Sequence, residues 1–368
     1  MIYPRNRRRR WLAVISLCGL LVLAGCAEVG LDSEFGGEST PVSPADESTV
    51  DAPTPVAPNG TFEVHAINVG QADATLLRTD EETMLIDSGD WRDDGDAVIE
   101  YLEAHDVDRI DHLVSTHAHA DHIGGHEAVI DHYETERDGI GAIYDSGVPH
   151  TTNTYERYLD AVERHDVDLF TVRDGDELPF EGVNATVLNP PEDGGSDLHY
   201  NSVTVHLQFG NASFLFTGDA ERDAESRLLD EHGSGLQADV YHAGHHGSDT
   251  SSGPEFLDAV DPAVTIISAD YDSQYGHPHD EPLERFAERD VRAAWTGVHG
   301  TVVFVSDGEE ISVRTQHDAT FDPLELRDES VATAPPAEAV DERFVVETTP
   351  PARLVAPTAS TVAVEASG

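Results

Sequence analysis

The chain has 368 residues, room for one large domain or two small ones, and its 72 acidic against 21 basic residues give a net charge of −51. Every basic residue is arginine. Apolar runs recur among the acids, which excludes a wholly disordered acidic chain and leaves a folded domain with an acidic skin. Such a surface suits molar salt, where the Debye length falls to about 3 Å and self-repulsion is screened, so the composition points to a halophile.

Residues 1–26 read as a targeting segment. Arg5 and Arg7 to Arg10 form a charged region, and an apolar stretch over 12–24 follows. That stretch of about 13 residues is short against the roughly 20 that a membrane span needs. Arg8-Arg9-Arg10-Trp11-Leu12 resembles a twin-arginine export signal, and Leu23-Ala24-Gly25-Cys26 resembles a lipobox with Cys26 as the lipidated residue. This predicts a lipid-anchored protein facing the outside of the cell membrane. Cys18 and Cys26 are the only cysteines, so the folded part has neither an internal disulfide nor a thiolate metal ligand. Residues 27–60 are rich in Pro, Glu, Ser and Thr and predict an extended tether.

A domain over 61–316 follows. Strands are expected at 62–69, 74–79 and 83–86, a helix at 97–105 and a strand at 110–116. Ser115-Thr116-His117-Ala118-His119-Ala120-Asp121-His122-Ile123-Gly124-Gly125 comes next, leading into a helix expected at 122–133. Strand 140–145, helix 154–165 and strand 168–172 complete the first half. The second half repeats the alternation: strands 183–188, 202–209 and 213–217, helix 221–231, strand 238–242, helix 254–260, strand 263–268, helix 281–288, and strands 292–295, 301–305 and 310–314. Two strand-rich halves, each with helices, imply two mixed sheets packed face to face with helices outside. Residues 317–368 read as a disordered acidic tail, with a weak strand signal at 343–346.

The chemistry gathers after strand ends, where α/β folds place binding sites. Three imidazoles and a carboxylate stand within the six residues from His117 to His122. Imidazole with carboxylate suits zinc, and also manganese or iron. A water held between two cations loses a proton near neutral pH and becomes a nucleophile.

His117-x-His119-x-Asp121-His122, with Gly218-Asp219 after an apolar strand, is similar to the metallo-β-lactamase superfamily. Ile67-Asn68-Val69-Gly70-Gln71-Ala72-Asp73-Ala74, Leu85-Ile86-Asp87-Ser88-Gly89, Phe216-Thr217-Gly218-Asp219, Gly244-His245-His246-Gly247-Ser248 and Tyr275-Gly276-His277-Pro278-His279 more narrowly resemble the hydrolase domain of the ComEC competence family. The resemblance implies an αββα sandwich with a two-metal site at one sheet edge, zinc first and manganese second. One metal would take His117 and His119, the other Asp121 and His122, with Asp219 bridging. Asp87 is a candidate to orient a ligand imidazole. The resemblance further implies His277 as the last ligand of the second metal and His245 or His246 as proton donor; the opposite assignment stays open. His199 stands where a third histidine of the first metal is expected, in a segment whose matching part is Asn201-Ser202. Asn201 is therefore a candidate supporting residue.

The implied function is metal-dependent hydrolysis, first of phosphodiesters in nucleic acid. Lactones, β-lactams or other esters are the alternative, since the same hydroxide serves both. A surface binding protein with a structural metal is the third reading. The excess of acid argues against nucleic acid, though less so in molar salt. No protein partner is implied.

Overall fold

The computed structural model describes residues 60–349. The export segment, Cys26 and the tether to residue 59 lie outside the described residues, as does the chain beyond 349. In the first half, short β-branched and leucine-rich runs form β1 (Phe62–Ala66), β2 (Thr75–Arg78) and β3 (Thr83–Ile86), an antiparallel meander. Helix α1 (Asp96–Ala104) crosses to β4 (Ile110–Ser115), α2 (His126–Glu136) to β5 (Ile140–Asp145), and α3 (Asn153–His165) to β6 (Leu169–Thr171). These strands pair in parallel, as crossover helices require. Helix α3 shows why such segments sit on a sheet: Tyr158, Ala161 and Val162 fall on one face and are buried. Its start is capped by Thr152, whose side chain accepts from the Tyr155 amide.

The second half continues with β7 (Glu177–Leu178), β8 (Asn184–Asn189), β9 (Thr204–Phe209), β10 (Ala212–Phe216), α4 (Arg222–His232), β11 (Val240–His242), α5 (Pro254–Val260), β12 (Val264–Ile267), α6 (Asp280–Ala287), β13 (Arg292–Trp295) and α7 (Thr296–His299). The chain then returns to the first sheet as β14 (Val302–Ser306), β15 (Glu310–Thr315) and β16 (Asp341–Glu347). One sheet has nine strands in the order β16-β15-β14-β1-β2-β3-β4-β5-β6, and the other has seven in the order β13-β12-β11-β10-β9-β8-β7.

Between the sheets lies an apolar layer in which Phe62 packs on Phe214 and Phe209, with ring centroids 5.4 and 5.6 Å apart. Helices α1 to α3 cover the outer face of the nine-stranded sheet through Tyr101, Leu102, Ile130 and Tyr158. The rest of the helices cover the other sheet through Leu228, Phe256, Leu257 and Phe286. The αββα sandwich implied by the motifs is the fold observed.

Two expectations change. The helix expected at 122–133 begins only at His126. Gly124 and Gly125 pack too tightly for side chains: a Cβ on Gly124 would fall 2.1 Å from the Trp91 amide nitrogen, and one on Gly125 2.4 Å from the Ser88 carbonyl oxygen. The cluster therefore ends in a turn, and the helix starts after it. Residues 317–349 are not a disordered tail. They run back over the sandwich and add β16 to the edge of β15, where Val346 is buried and Phe344 packs on the core. The acidic composition hid this, because its apolar residues are few: Phe321 meets Phe344 edge-on at 4.9 Å, and the Arg292 guanidinium lies 4.3 Å over the Phe344 ring.

Phe344→Ala is expected to lower stability by about 2 kcal/mol, the burial a half-covered aromatic side chain loses. The urea midpoint in high salt reads it, and an unmoved midpoint would remove β16 from the packed fold.

Candidate metal centre

The parallel strands bring their carboxyl ends to one edge of the sandwich, and each donates a loop there. From β3 comes Asp87, in the left-handed region at φ 59°. It accepts from the Thr116 amide (2.8 Å), the Thr116 hydroxyl (2.6 Å) and His122 Nδ1 (2.8 Å). A neutral or ligating His122 therefore carries its proton on Nδ1 and turns Nε2 inward. From β10 comes Gly218-Asp219. Gly218 has φ 50°, and a Cβ there would sit 2.4 Å from Ser202 Oγ and 2.8 Å from Thr116 Cβ, so only glycine brings Asp219 this close. From β11 come His245 and His246, consecutive non-glycine residues at φ 51° and 57°. Two such conformations in a row cost roughly 1–3 kcal/mol each and are held by their surroundings.

Asp219 joins two groups of ligand-type side chains. The first holds His117, His119, His199 and Asp219, and the second Asp73, His122, Asp219 and His246, with the ligand-type atoms of each group within 4.8 Å of one another. His117 Nε2 is 2.8 Å from His119 Nδ1 and 3.5 Å from Asp219 Oδ2. On the other side, Asp219 Oδ1 is 3.1 Å from His122 Nε2 and 3.9 Å from His246 Nε2. Asp219 Oδ1 and His122 Nε2 are both buried and have no hydrogen-bond partner. An imidazole nitrogen and a carboxylate oxygen that face each other at depth as an ion pair are donors that a divalent cation would take.

Proton placement decides which carboxylate completes the second group. His246 Nδ1 donates to the Ser268 carbonyl at 2.9 Å, so its Nε2 is the free nitrogen, and Asp121 Oδ2 lies 3.3 Å from that atom. Asp73 approaches the Nδ1 sides instead, 3.7 Å from His122 and 3.7 Å from His246. Asp121, His122 and His246 with Asp219 thus form the coherent donor set, and Asp73 stands behind it as a buried negative charge. These residues fit a pair of divalent cations: imidazole nitrogens and carboxylate oxygens converge, with nitrogen protons turned outward.

The electrostatics agree. Burial drives His117 well below the usual imidazole range, and the neighbouring His122 adds to this. Burial, with His199 nearby, brings His119 to about 4. Burial opposes a charged His122 too, yet Asp219 and Asp87 hold it well above the ordinary value. His246 behaves likewise: burial is overcome by Asp73 and Asp219 and its value rises to about 9. Burial works against a charged Asp219, but His122 and His117 keep it well below the usual carboxylate range. The second group stabilises positive charge, so protons there hold places that a cation would contest, while the first group keeps His117 and His119 toward the neutral form that ligates a metal.

Of the expected residues, His117, His119, His122, Asp219 and the candidate His199 converge, and Asp121 meets the second group through His246. His277 does not join it. Its Nδ1 lies 3.3 Å from Gln71 Nε2 and its ring is 6.1 Å from that of His246, which occupies the ligand position instead. His245 points Nε2 at Asp219 Oδ2 from 3.6 Å while its Nδ1 lies 3.1 Å from Glu221 Oε1. Asn201 touches no ligand: it donates to the Gly194 and Asp197 carbonyls and so shapes the loop that carries His199.

Sequence reasoning missed three supports. Glu221 Oε1 also lies 3.3 Å from His199 Nδ1, tying that ring to His245. His126, inside α2, is held between the Ser88 and Ser115 hydroxyls at 2.6 Å each and buttresses the cluster from below. Buried Glu225 on α4 accepts from the Gly253 and Ser252 amides and anchors the loop that follows His246. Only Glu221, two residues after Asp219, carried a positional signal.

The chain belongs to the metallo-beta-lactamase superfamily, whose profile matches residues 67–269, and with it to the metal-dependent hydrolases of that fold. Within it, the chain is similar to ComE operon protein 3 of Bacillus subtilis, at 29% identity over 259 residues, covering 66% of this chain and 33% of that protein. It is also similar to competence protein ComA of Neisseria gonorrhoeae, at 30% identity over 247 residues, covering 67% of this chain and 33% of that one. The chain spans about a third of the length of these curated relatives. Among solved structures, the metallo-beta-lactamase fold protein YhfI from Bacillus subtilis aligns with a TM-score of 0.44 at 11% identity, covering 64% of this chain and 96% of that one.

Asp87→Ala is expected to weaken metal retention about 10- to 100-fold by freeing the His122 ring; metal analysis after graded chelation checks it. Burial raises Glu225 from 4.5 to about 7, against the pull of the Gly253 and Ser252 amides. A carboxyl raised on folding stabilises fully below its unfolded value and loses that contribution as pH climbs through the folded one. Unfolding free energy is thus expected to decline between about pH 4.5 and 7, by on the order of 3 kcal/mol for this group. Glu225→Gln should flatten that limb in urea titrations taken across the range.

Proposed function

We propose that the chain is a metal-dependent phosphodiesterase acting on nucleic acid, exported and held on the extracellular face of the cell membrane by a lipid on Cys26. The observation that carries the catalytic reading is the pair of histidine-rich groups sharing one buried carboxylate, Asp219. When bound, two divalent cations supply a water of lowered pKa and neutralise charge growing on a phosphoryl oxygen. Zinc is the first expectation for them and manganese the second. The chain's own residues do the rest. Asp219 spans the two groups, and Asp87 and the Ser268 carbonyl fix the ring nitrogens of His122 and His246. His245, half-buried at the mouth with Glu221 on its Nδ1, is placed to hand a proton from Nε2 to the leaving oxygen. Kinship over the matched region with two competence proteins supports the choice of phosphodiester over lactam. Attachment is assigned to the N-terminal segment on the lipobox-like Leu23-Ala24-Gly25-Cys26 that follows its apolar stretch.

The metal-loaded chain in high salt should turn over bis(p-nitrophenyl) phosphate and an oligonucleotide in preference to nitrocefin or an acyl-lactone. Asp121→Ala and Asp219→Ala should each lower kcat on the order of 10²- to 10³-fold or more. Full activity in either variant would remove the mechanism, and turnover of nitrocefin alone would replace the substrate. Cys26→Ser should release the protein to the medium or leave it uncleaved, and unchanged attachment would overturn the anchor.

A further inference from the structure

Among the described residues, only two Trp, Tyr or Phe side chains are exposed: Trp91 at 47% and Tyr275 at 59%. Trp91 is tied by its backbone to the His117–His122 cluster, and the Tyr275 ring adjoins His277, next to the His245–His246 loop. The Trp91 amide donates to the carbonyl of Ala120, the residue between His119 and Asp121, at 3.1 Å. The Tyr275 ring lies 5.8 Å from His277 at 32°, and the His277 ring is in turn 5.6 Å from His245 and 6.1 Å from His246. Both backbones are pinned. The Tyr275 carbonyl accepts from His279 Nε2 at 3.1 Å and the next carbonyl from Arg327 at 3.1 Å, while the ring itself is left to solvent. The Trp91 ring carries the Arg92 guanidinium 5.0 Å above it.

An exposed aromatic ring forgoes about 1.5–3 kcal/mol of burial. Two such rings, each on a segment joined to one arm of the site, in a chain that buries or half-buries its other described aromatics, offer flat faces to a ligand. Charge limits what else that ligand can be held by. With a net charge of −51 and no lysine, phosphate neutralisation supplies little affinity. Stacking on a π-face is available to every base. Resting on the phosphodiesterase reading, we propose that Trp91 and Tyr275 form a two-sided rim on which the bases flanking the scissile phosphodiester of a single strand stack. A duplex keeps its base faces inside, so a single strand is the form that fits.

The test uses the full chain, stripped of metal by chelation in high potassium chloride so that binding is read without cleavage. Oligothymidylate and oligouridylate are compared with an abasic strand of equal length. At least one base-bearing strand should bind about tenfold or more tighter than the abasic one, with Trp91→Ala and Tyr275→Ala each cutting that ratio about fivefold. Tyr275→Phe and Trp91→Phe, which keep a ring and guard against misfolding, should retain it, and Trp91→Phe should abolish the quenching of tryptophan emission on binding. Equal binding of all strands by the wild-type chain, or an unchanged ratio in both alanine variants, would overturn the rim. Base preference without hydrolysis of any phosphodiester would remove the activity and leave the rim standing; hydrolysis without base preference would do the reverse.

Discussion

The structure turns on the carboxylate of Asp219, 1% exposed and shared between two sets of imidazoles. A bare carboxylate at that depth is strongly disfavoured unless positive charge accompanies it. His122 and His246, both shifted toward the protonated form, provide such charge, and Asp87 and Asp73 in turn keep those rings cationic. The arrangement is a nest of alternating charge in which each member is tolerable only because of the next. Removing one acid strands a buried cation, and removing one ring strands a buried anion.

Much of this was legible in the residues. The alternation of apolar runs gave most strands within a residue or two, because β-branched stretches between polar turns have few other options. The cluster from His117 to His122 announced itself by spacing, since ligands that follow one strand end must converge. What escaped was set by distant partners. Choosing His246 over His277 depended on which ring nitrogen finds a carbonyl, that of Ser268, across 22 positions of sequence. Asp73 stood only within a motif, and it becomes a counter-charge because His122, His242 and His246, distant in sequence, lie within 3.7 Å of its carboxylate. The strand at 341–347 was masked by its acids, because an edge strand needs apolar residues on one face only.

The left-handed pair His245–His246 explains how one short loop serves two tasks. Two successive residues at φ near 55° reverse the chain so sharply that neighbouring side chains leave in different directions. One ring goes down to the second ligand group, and the other stays at the mouth beside Glu221. Glu225 then holds the exit of that loop, so the strain is opposed by hydrogen bonds from a carboxylate buried in the next layer.

The ligands come from both halves of the sandwich. His117 to His122 follow β4 in the nine-stranded sheet, whereas Asp219 and His246 follow β10 and β11 in the seven-stranded one. Cations seated between them would act as rivets through two plates. A slip of one sheet along the other by a single residue, about 3.3 Å, would part the donors completely. Metal occupancy and sheet alignment therefore report on each other, and without ions the apolar layer around Phe62 and bonds such as that from the Val203 amide to the Thr116 carbonyl, at 2.8 Å, keep the two plates in step.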